Sequence, residues 1–375
     1  MNDLVANYTA LPNLQPALVH FPIAFLPLAA ILDALVLRLP GQREWLERAA
    51  TLLYGVAALG AAAAFLSGRQ AAEALPPLEL AVQVHVNEHS DSARAALWLL
   101  VLLAAFRAVV AYRDWRVRRK VLRVCFLLIA AGAVVLVYRT ADPGGGLVFR
   151  HGIGVAHSGD PGAPRLTRAM EVQETIAPDS EDEGAAERRL VTADDGSLSW
   201  KPLPGDRQAL GSFLLPAPET DDSAVSWGES AEDDEGLGWT LDGEALLLLP
   251  GAFGDVQVEA ELVLEGFDGE VGLAHHVLSG SQASLFTVSV PGNEFVLSRR
   301  DGATTRRLAR SARAVPEGPI RLLTTAAGRH YYGYLGDESV VHGHEAPPPK
   351  GGCGLFLRGR GVVRILSLTV TPGGS

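Results

Sequence analysis

Between Leu14 and Leu39 the chain reads LQPALVHFPIAFLPLAAILDALVLRL, and from Ala17 to Leu37 it is almost uninterrupted apolar sequence. His20 stands near one end of this run and Asp33 near the other. At about 1.5 Å per residue the run crosses a hydrocarbon core of about 30 Å. No basic stretch precedes it and no small-residue cleavage site follows it cleanly, so the expectation is a retained transmembrane helix rather than a secretory signal. Leu39-Pro40-Gly41 ends it.

Three more apolar runs follow, at about 49–67, 95–112 and 121–138. The second carries Gly55, Gly60 and several alanines, the small surfaces that let membrane helices approach closely. Four spans with short connections predict an antiparallel four-helix bundle in a lipid bilayer. Residues 69–93, with Pro76, Pro77, His85 and His89, read as a polar hairpin between the second and third spans.

Basic residues set the orientation. The first loop has Arg38, Arg43 and Arg48, and the third has Arg113, Arg116, Arg118, Arg119, Lys120 and Arg123. The opposite side has only Arg69, Arg94, Arg139 and Arg150. Loops one and three are therefore expected in the cytoplasm of a bacterial inner-membrane protein, with both termini and the distal domain on the periplasmic side. His20, His85, His89, His151 and His157 all then fall on the outer side.

After Tyr138 comes GGGLVFRHGIGV, in which Gly144, Gly145, Gly152 and Gly154 permit tight turns that bring His151 to the bundle mouth. The HFPIA segment at 20–24, the late acidic Asp33, three further spans and this closing motif resemble the bacterial four-helix membrane domain of unknown function twenty-two thirty-one. The resemblance covers residues 14–156 and implies fold and topology. It implies no activity.

Beyond the spans the composition changes. The net charge of −11 sits mainly in the second half, which argues against a nucleic-acid partner. Only Cys125 and Cys353 occur, so neither a CxxCH haem attachment nor a CxxC pair exists. Residues 1–156 form the expected membrane domain. Residues 157–207 are acidic and poor in apolar side chains, and read as a linker. From 208 to 375 the period becomes two: DVQVEAELVL, SLFTVSV, PIRLLTT and RILSLTV are separated by Gly, Pro, Asn and Asp turns. Many short strands so spaced predict an all-β sandwich. Their order, and the closing GGCGLFLRGRGVVRILSLTVTP, resemble the concanavalin/laminin-G-like jelly roll.

Imidazoles are the usual axial ligands of b-type haem and common ligands of transition metals. His20, His85, His89 and His151 are thus the candidate cofactor-binding residues. The plainer alternative is that His20 and His151 hydrogen-bond backbone exposed by Pro22 and the glycine turn. Asp33 cannot snorkel, and helix rise places it at the depth of Arg107 on the third span, so a structural ion pair is expected. In the sandwich the ExDxxE strand of laminarinase-like glycosidases is absent, Glu259 and Glu261 read as the solvated side of an amphipathic strand, and His275-His276 straddle both faces of a strand, so at most one is expected in the core. No catalytic residues emerge. Three functions stay open: a bundle holding haem or metal beside a sandwich that binds a carbohydrate or a periplasmic protein, a cofactor-free anchor for a binding sandwich, and a membrane-tethered carbohydrate-active enzyme.

Overall fold

The structure, a computed structural model, describes residues 14–112, 120–151, 153, 190–202, 214–216, 237–290 and 292–373. The chain separates into a helical unit and a strand unit, the short stretch Leu75–Val84 counting with the second.

In the helical unit a turn at Gln15–Leu18 leads into α1 (His20–Val36). α2 (Arg43–Glu73), α3 (Leu80–Tyr112) and α4 (Lys120–Phe149) follow. All four are long and apolar enough to cross a membrane. Each of the last three outruns its apolar stretch. At both ends of α2, ion pairs four residues apart (Arg43–Glu47, Arg48–Glu44, Arg69–Glu73) hold polar turns in the helix.

The expected hairpin at 69–93 is instead the end of α2, a short connection and the first turns of α3. Helix α3 begins at Leu80, so the polar residues 80–93 continue the third span as helix. The glycine stretch is also different. Gly144 and Gly145 lie within α4, downstream of Pro143, and not in a turn. A bilayer disfavours open backbone, so the helix continues through them. Gly152 and Gly154 lie outside the described residues.

Contacts establish antiparallel neighbours. A Cβ on Gly60 would lie 2.4 Å from Phe21, and one on Gly68 2.7 Å from Gln15, which runs α2 against α1. Phe106 stacks on Phe126 near one end of α3 and α4, and His89 meets Thr140 near the other. Leu26, Tyr54, Leu100 and Ala130, one from each helix, share the bundle core. The outer surface is apolar: Leu59 is 74% exposed and Leu128 67%. An exposed leucine belt is costly in water and suits lipid.

The strand unit is built on three long strands, β4 (Leu237–Phe253), β5 (Val256–Ser279) and β12 (Gly351–Pro372). The others are β1 (Leu190–Thr192), β2 (Leu198–Trp200), β3 (Leu214–Pro216), β6 (Gln282–Ser289), β7 (Glu294–Asp301), β8 (Thr304–Ala312), β9 (Ile320–Ala327), β10 (His330–Leu335) and β11 (Glu338–His344). All pairings among the described residues are antiparallel. The first half of β5 pairs β9 and its second half pairs β6, while β12 pairs β2, β4 and β5 along its length. The result is two layers, β1-β2-β12-β5-β9-β10-β11 and β3-β4-β12-β5-β6-β7-β8, sharing their long strands.

Those strands change layer along one line. Gly243 and Gly269 both pair Gly359, with φ of 141°, 156° and 148°, values other residues rarely adopt. The core between the layers includes Trp239, Phe286, Phe295 and Leu355. β1 and β2 fall inside the stretch expected to be linker, and Trp200 is 1% exposed in this same core. Asp195-Gly196 makes the turn that folds β1 onto β2, and Ser197 donates its backbone N–H to Asp195 at 2.9 Å.

Candidate functional site

At one end of the bundle the charges expected to pair do meet. Asp33 of α1 is 2% exposed, and its Oδ1 lies 3.1 Å from Nη2 of Arg107 on α3. The same Arg107 nitrogen donates to the Glu47 carbonyl of α2 at 3.0 Å. The Glu47 carboxylate accepts from Arg43 at 2.9 Å and from Arg123 of α4 at 2.5 Å. One polar network thus ties all four helices together. Arg107 is 7% exposed, so it faces inward instead of reaching for the interface.

The histidines stand at the other end. His85 and Arg107 are twenty-two positions apart on α3, about 33 Å along its axis. The rings of His85 and His151 have centroids 5.8 Å apart and planes inclined at 40°. Two imidazoles sharing one ion at about 2.0–2.1 Å per bond have centroids roughly 5.2 Å apart at a tetrahedral angle and roughly 6.4 Å when opposed. The observed spacing falls between.

His89 is held differently. Its Nδ1–H donates to the Thr140 carbonyl at 3.0 Å, which leaves the lone pair on Nε2. Its ring lies on Gly144, where a Cβ would come within 2.8 Å of Cε1. Gly144 is therefore the space this histidine occupies. His20, the first residue of α1, is exposed. Among the described residues, no three of His20, His85, His89 and His151 bring donor atoms within 4.8 Å of one another.

In the sandwich, His275 and His276 are both buried, although strict alternation would expose one. His276 has φ of 51°, and the pairing of β5 with β6 shifts register just beyond His275, which breaks the alternation. Their Nδ1 atoms are 2.7 Å apart, one donating to the other, and His275 stacks on Tyr331. Burial keeps both rings neutral. It depresses His275 well below the ordinary imidazole range, with the neighbouring His276 and Arg299 adding to the effect. It holds His276 at about 4 despite the counteracting Asp255 carboxylate. These are core histidines. Among the described residues, three histidines whose donor atoms lie within 4.8 Å of one another stand elsewhere in the sandwich, His330, His342 and His344, and sequence reading did not single them out.

Three carboxylates along the long strands are engaged by arginines. Glu244 meets Arg300 at 2.5 Å, Glu259 meets Arg321 at 2.5 Å and Glu270 meets Arg358 at 2.8 Å. Arg321 also holds Asp337 at 2.8 Å.

Residues 12–157 match the family model described as predicted membrane protein, DUF2231. Among solved structures, the carbohydrate-binding module CBM66 from Bacillus subtilis aligns at 17% identity over 39% of this chain and 91% of its own, with a TM-score of 0.35. A protein of unknown function with a galectin-like fold from Bacillus subtilis aligns at 11% identity over 46% of this chain and 93% of its own, TM-score 0.37. Galectin LEC-6 from Caenorhabditis elegans aligns at 10% identity over 40% of this chain and 98% of its own, TM-score 0.29. No curated protein matches the sequence.

Proposed function

We propose that this membrane protein works in the bacterial inner membrane as an anchored binding protein, its bundle holding a b-type haem or a transition metal at the periplasmic end. His85 and His151 are the ligands in this reading. His89 supports them or supplies a further ligand through Nε2. The observation that carries it is the 5.8 Å approach of the His85 and His151 rings, from opposite ends of the α3–α4 segment. Nitrogen donors of this type suit haem iron, copper or zinc.

The sandwich is assigned to binding a carbohydrate or a periplasmic protein. Glu244, Glu259 and Glu270 of its long strands are paired with arginines, and a general acid–base pair needs its carboxyls poised toward substrate. That favours binding over bond cleavage.

The absorption spectrum and elemental content of detergent-purified protein test the bundle reading. A Soret band or stoichiometric metal is expected, and it should disappear in both His85→Ala and His151→Ala while the protein still inserts. Colourless, metal-free protein after reconstitution with haem and with zinc or copper would leave the cofactor-free anchor. The use of His89 to clamp α4 through Thr140 favours that second reading.

A further inference from the structure

The hairpin of β10 and β11 gathers three histidines. Its register places His330 opposite His344 and Tyr332 opposite His342. The intervening residues face the core: Tyr331 and Val341 belong to it, a Cβ on Gly333 would lie 2.2 Å from Phe286, and one on Gly343 would lie 3.2 Å from Leu308. Alternation therefore puts His330, Tyr332, His342 and His344 together on the other face. His330 is buried, His342 half-buried and His344 exposed.

The spacing is that of ligands. Nδ1 of His330 is 3.3 Å from Nε2 of His342. Two nitrogens on one tetrahedral zinc, at about 2.0–2.1 Å each, stand roughly 3.3–3.4 Å apart. One nitrogen from each of the three rings lies within 4.8 Å of the others, so completing a tetrahedral face takes a closure of at most about 1.5 Å. The His344 ring is 4.4 Å from that of His342 and 4.5 Å from that of His330, centroid to centroid. Being exposed, His344 has room for that rotation. Tyr332 stacks on His342 at 4.0 Å with planes 8° apart, which steadies the central ring.

We propose that His330, His342 and His344 bind one divalent first-row transition ion, with zinc as the leading choice. Three neutral imidazoles on a strand scaffold favour zinc, copper, nickel or cobalt over magnesium or calcium. Three protein ligands leave a fourth position for an exchangeable water or an oxygen donor, as in open zinc sites. That position lies on the His344 side, where the cluster reaches the surface.

The test uses the full chain in detergent carrying His85→Ala and His151→Ala, so that an ion in the bundle does not contribute. After stripping with chelator, zinc is titrated by calorimetry and cobalt(II) by visible absorption. One equivalent per chain and the intense d–d bands of four-coordinate cobalt are expected. Binding should weaken as the pH is lowered, since protons compete with the ion for the imidazole nitrogens. His344→Ala should weaken binding by more than the roughly 10–100-fold that loss of a supporting outer contact costs, and Tyr332→Phe should retain it. His342→Ala should match His344→Ala. If it disturbs the sandwich, the exposed His344 decides. Failure of the background protein to bind zinc or cobalt, or undiminished binding in His344→Ala, would overturn the site and reduce the cluster to packed rings.

Discussion

Asp33 and Arg107 test how much a single ion pair organises the bundle. Both are buried; beside their 3.1 Å contact, Arg107 donates to the Glu47 carbonyl and lies over the Phe126 ring, and Tyr54 stands next to Asp33. An uncompensated charge costs about 2.5–3.5 kcal/mol at a helix centre on insertion scales, and less towards the helix ends where this pair lies. Asp33→Asn should therefore lower the yield of folded protein and its melting temperature in detergent. Adding Arg107→Ala should recover part of the loss, with a coupling of about 0.5–3 kcal/mol. Simple additivity of the two changes would show the residues to be uncoupled. Intact folding with loss of an activity would make Asp33 a proton-relay acid instead. The same logic gives His89 a structural share, because its ring fills the space over Gly144 and clamps the α3–α4 pair.

At the scale of elements, the line of glycines across β4, β5 and β12 is what turns one set of strands into two layers. A Cβ on Gly269 would sit 2.2 Å from the Arg358 carbonyl oxygen and 2.6 Å from Gly359 Cα, both backbone atoms that cannot swing away. Gly269→Ala combines that overlap with a backbone conformation costing of order 1–3 kcal/mol in itself. Its sandwich should melt earlier, and hydrogen–deuterium exchange should quicken in peptides covering β5 and β12. Gly302→Ala serves as the comparison. It also has positive φ, 59°, but open space around the site, so it should cost less. Equal exchange in Gly269→Ala and the unaltered protein would show that the layers do not depend on this corner. The repeat of Asp-Gly-Glu at 242–244 and 268–270, opposite Arg-Gly-Arg at 358–360, is the sequence trace of the corner. A period-two reading passes over it, because alternation looks at faces and not at bends.

For the whole molecule the open question is orientation. The basic residues of the first and third loops predict that both termini and the sandwich lie outside the cytoplasm. A reporter active only outside the cytoplasm should be active when fused after Ser375 and silent when inserted near Arg116. The reverse pattern would put the histidine end of the bundle in the cytoplasm and remove the periplasmic half of the proposed function. It would leave the three-histidine site untouched, since that site depends only on the fold of one hairpin.

The local regularities were legible in the chain. Helix rise is a backbone constant, so Asp33 and Arg107 could be set at one depth by counting, and lipid demands long apolar runs that composition reveals. Strand alternation likewise marked the sandwich. The ends of elements were less legible: ion pairs extend α2, α3 begins within polar sequence at Leu80, and two short strands around Asp195-Gly196 hide in acidic sequence. The histidine triad shows why pairing lies beyond such reading. Counting back from the Gly336-Asp337 turn, where Leu335 pairs Glu338, would set His330 against Gly343 and turn it away from His344. Gly333 instead pairs Val341 while Tyr334 pairs Ser339, so Val340 is an extra residue on β11. That bulge shifts the register by one, and in a strand one residue exchanges the two faces. Periodicity belongs to the backbone of each segment. Register belongs to the packing of segments distant in sequence, and only the folded chain decides it.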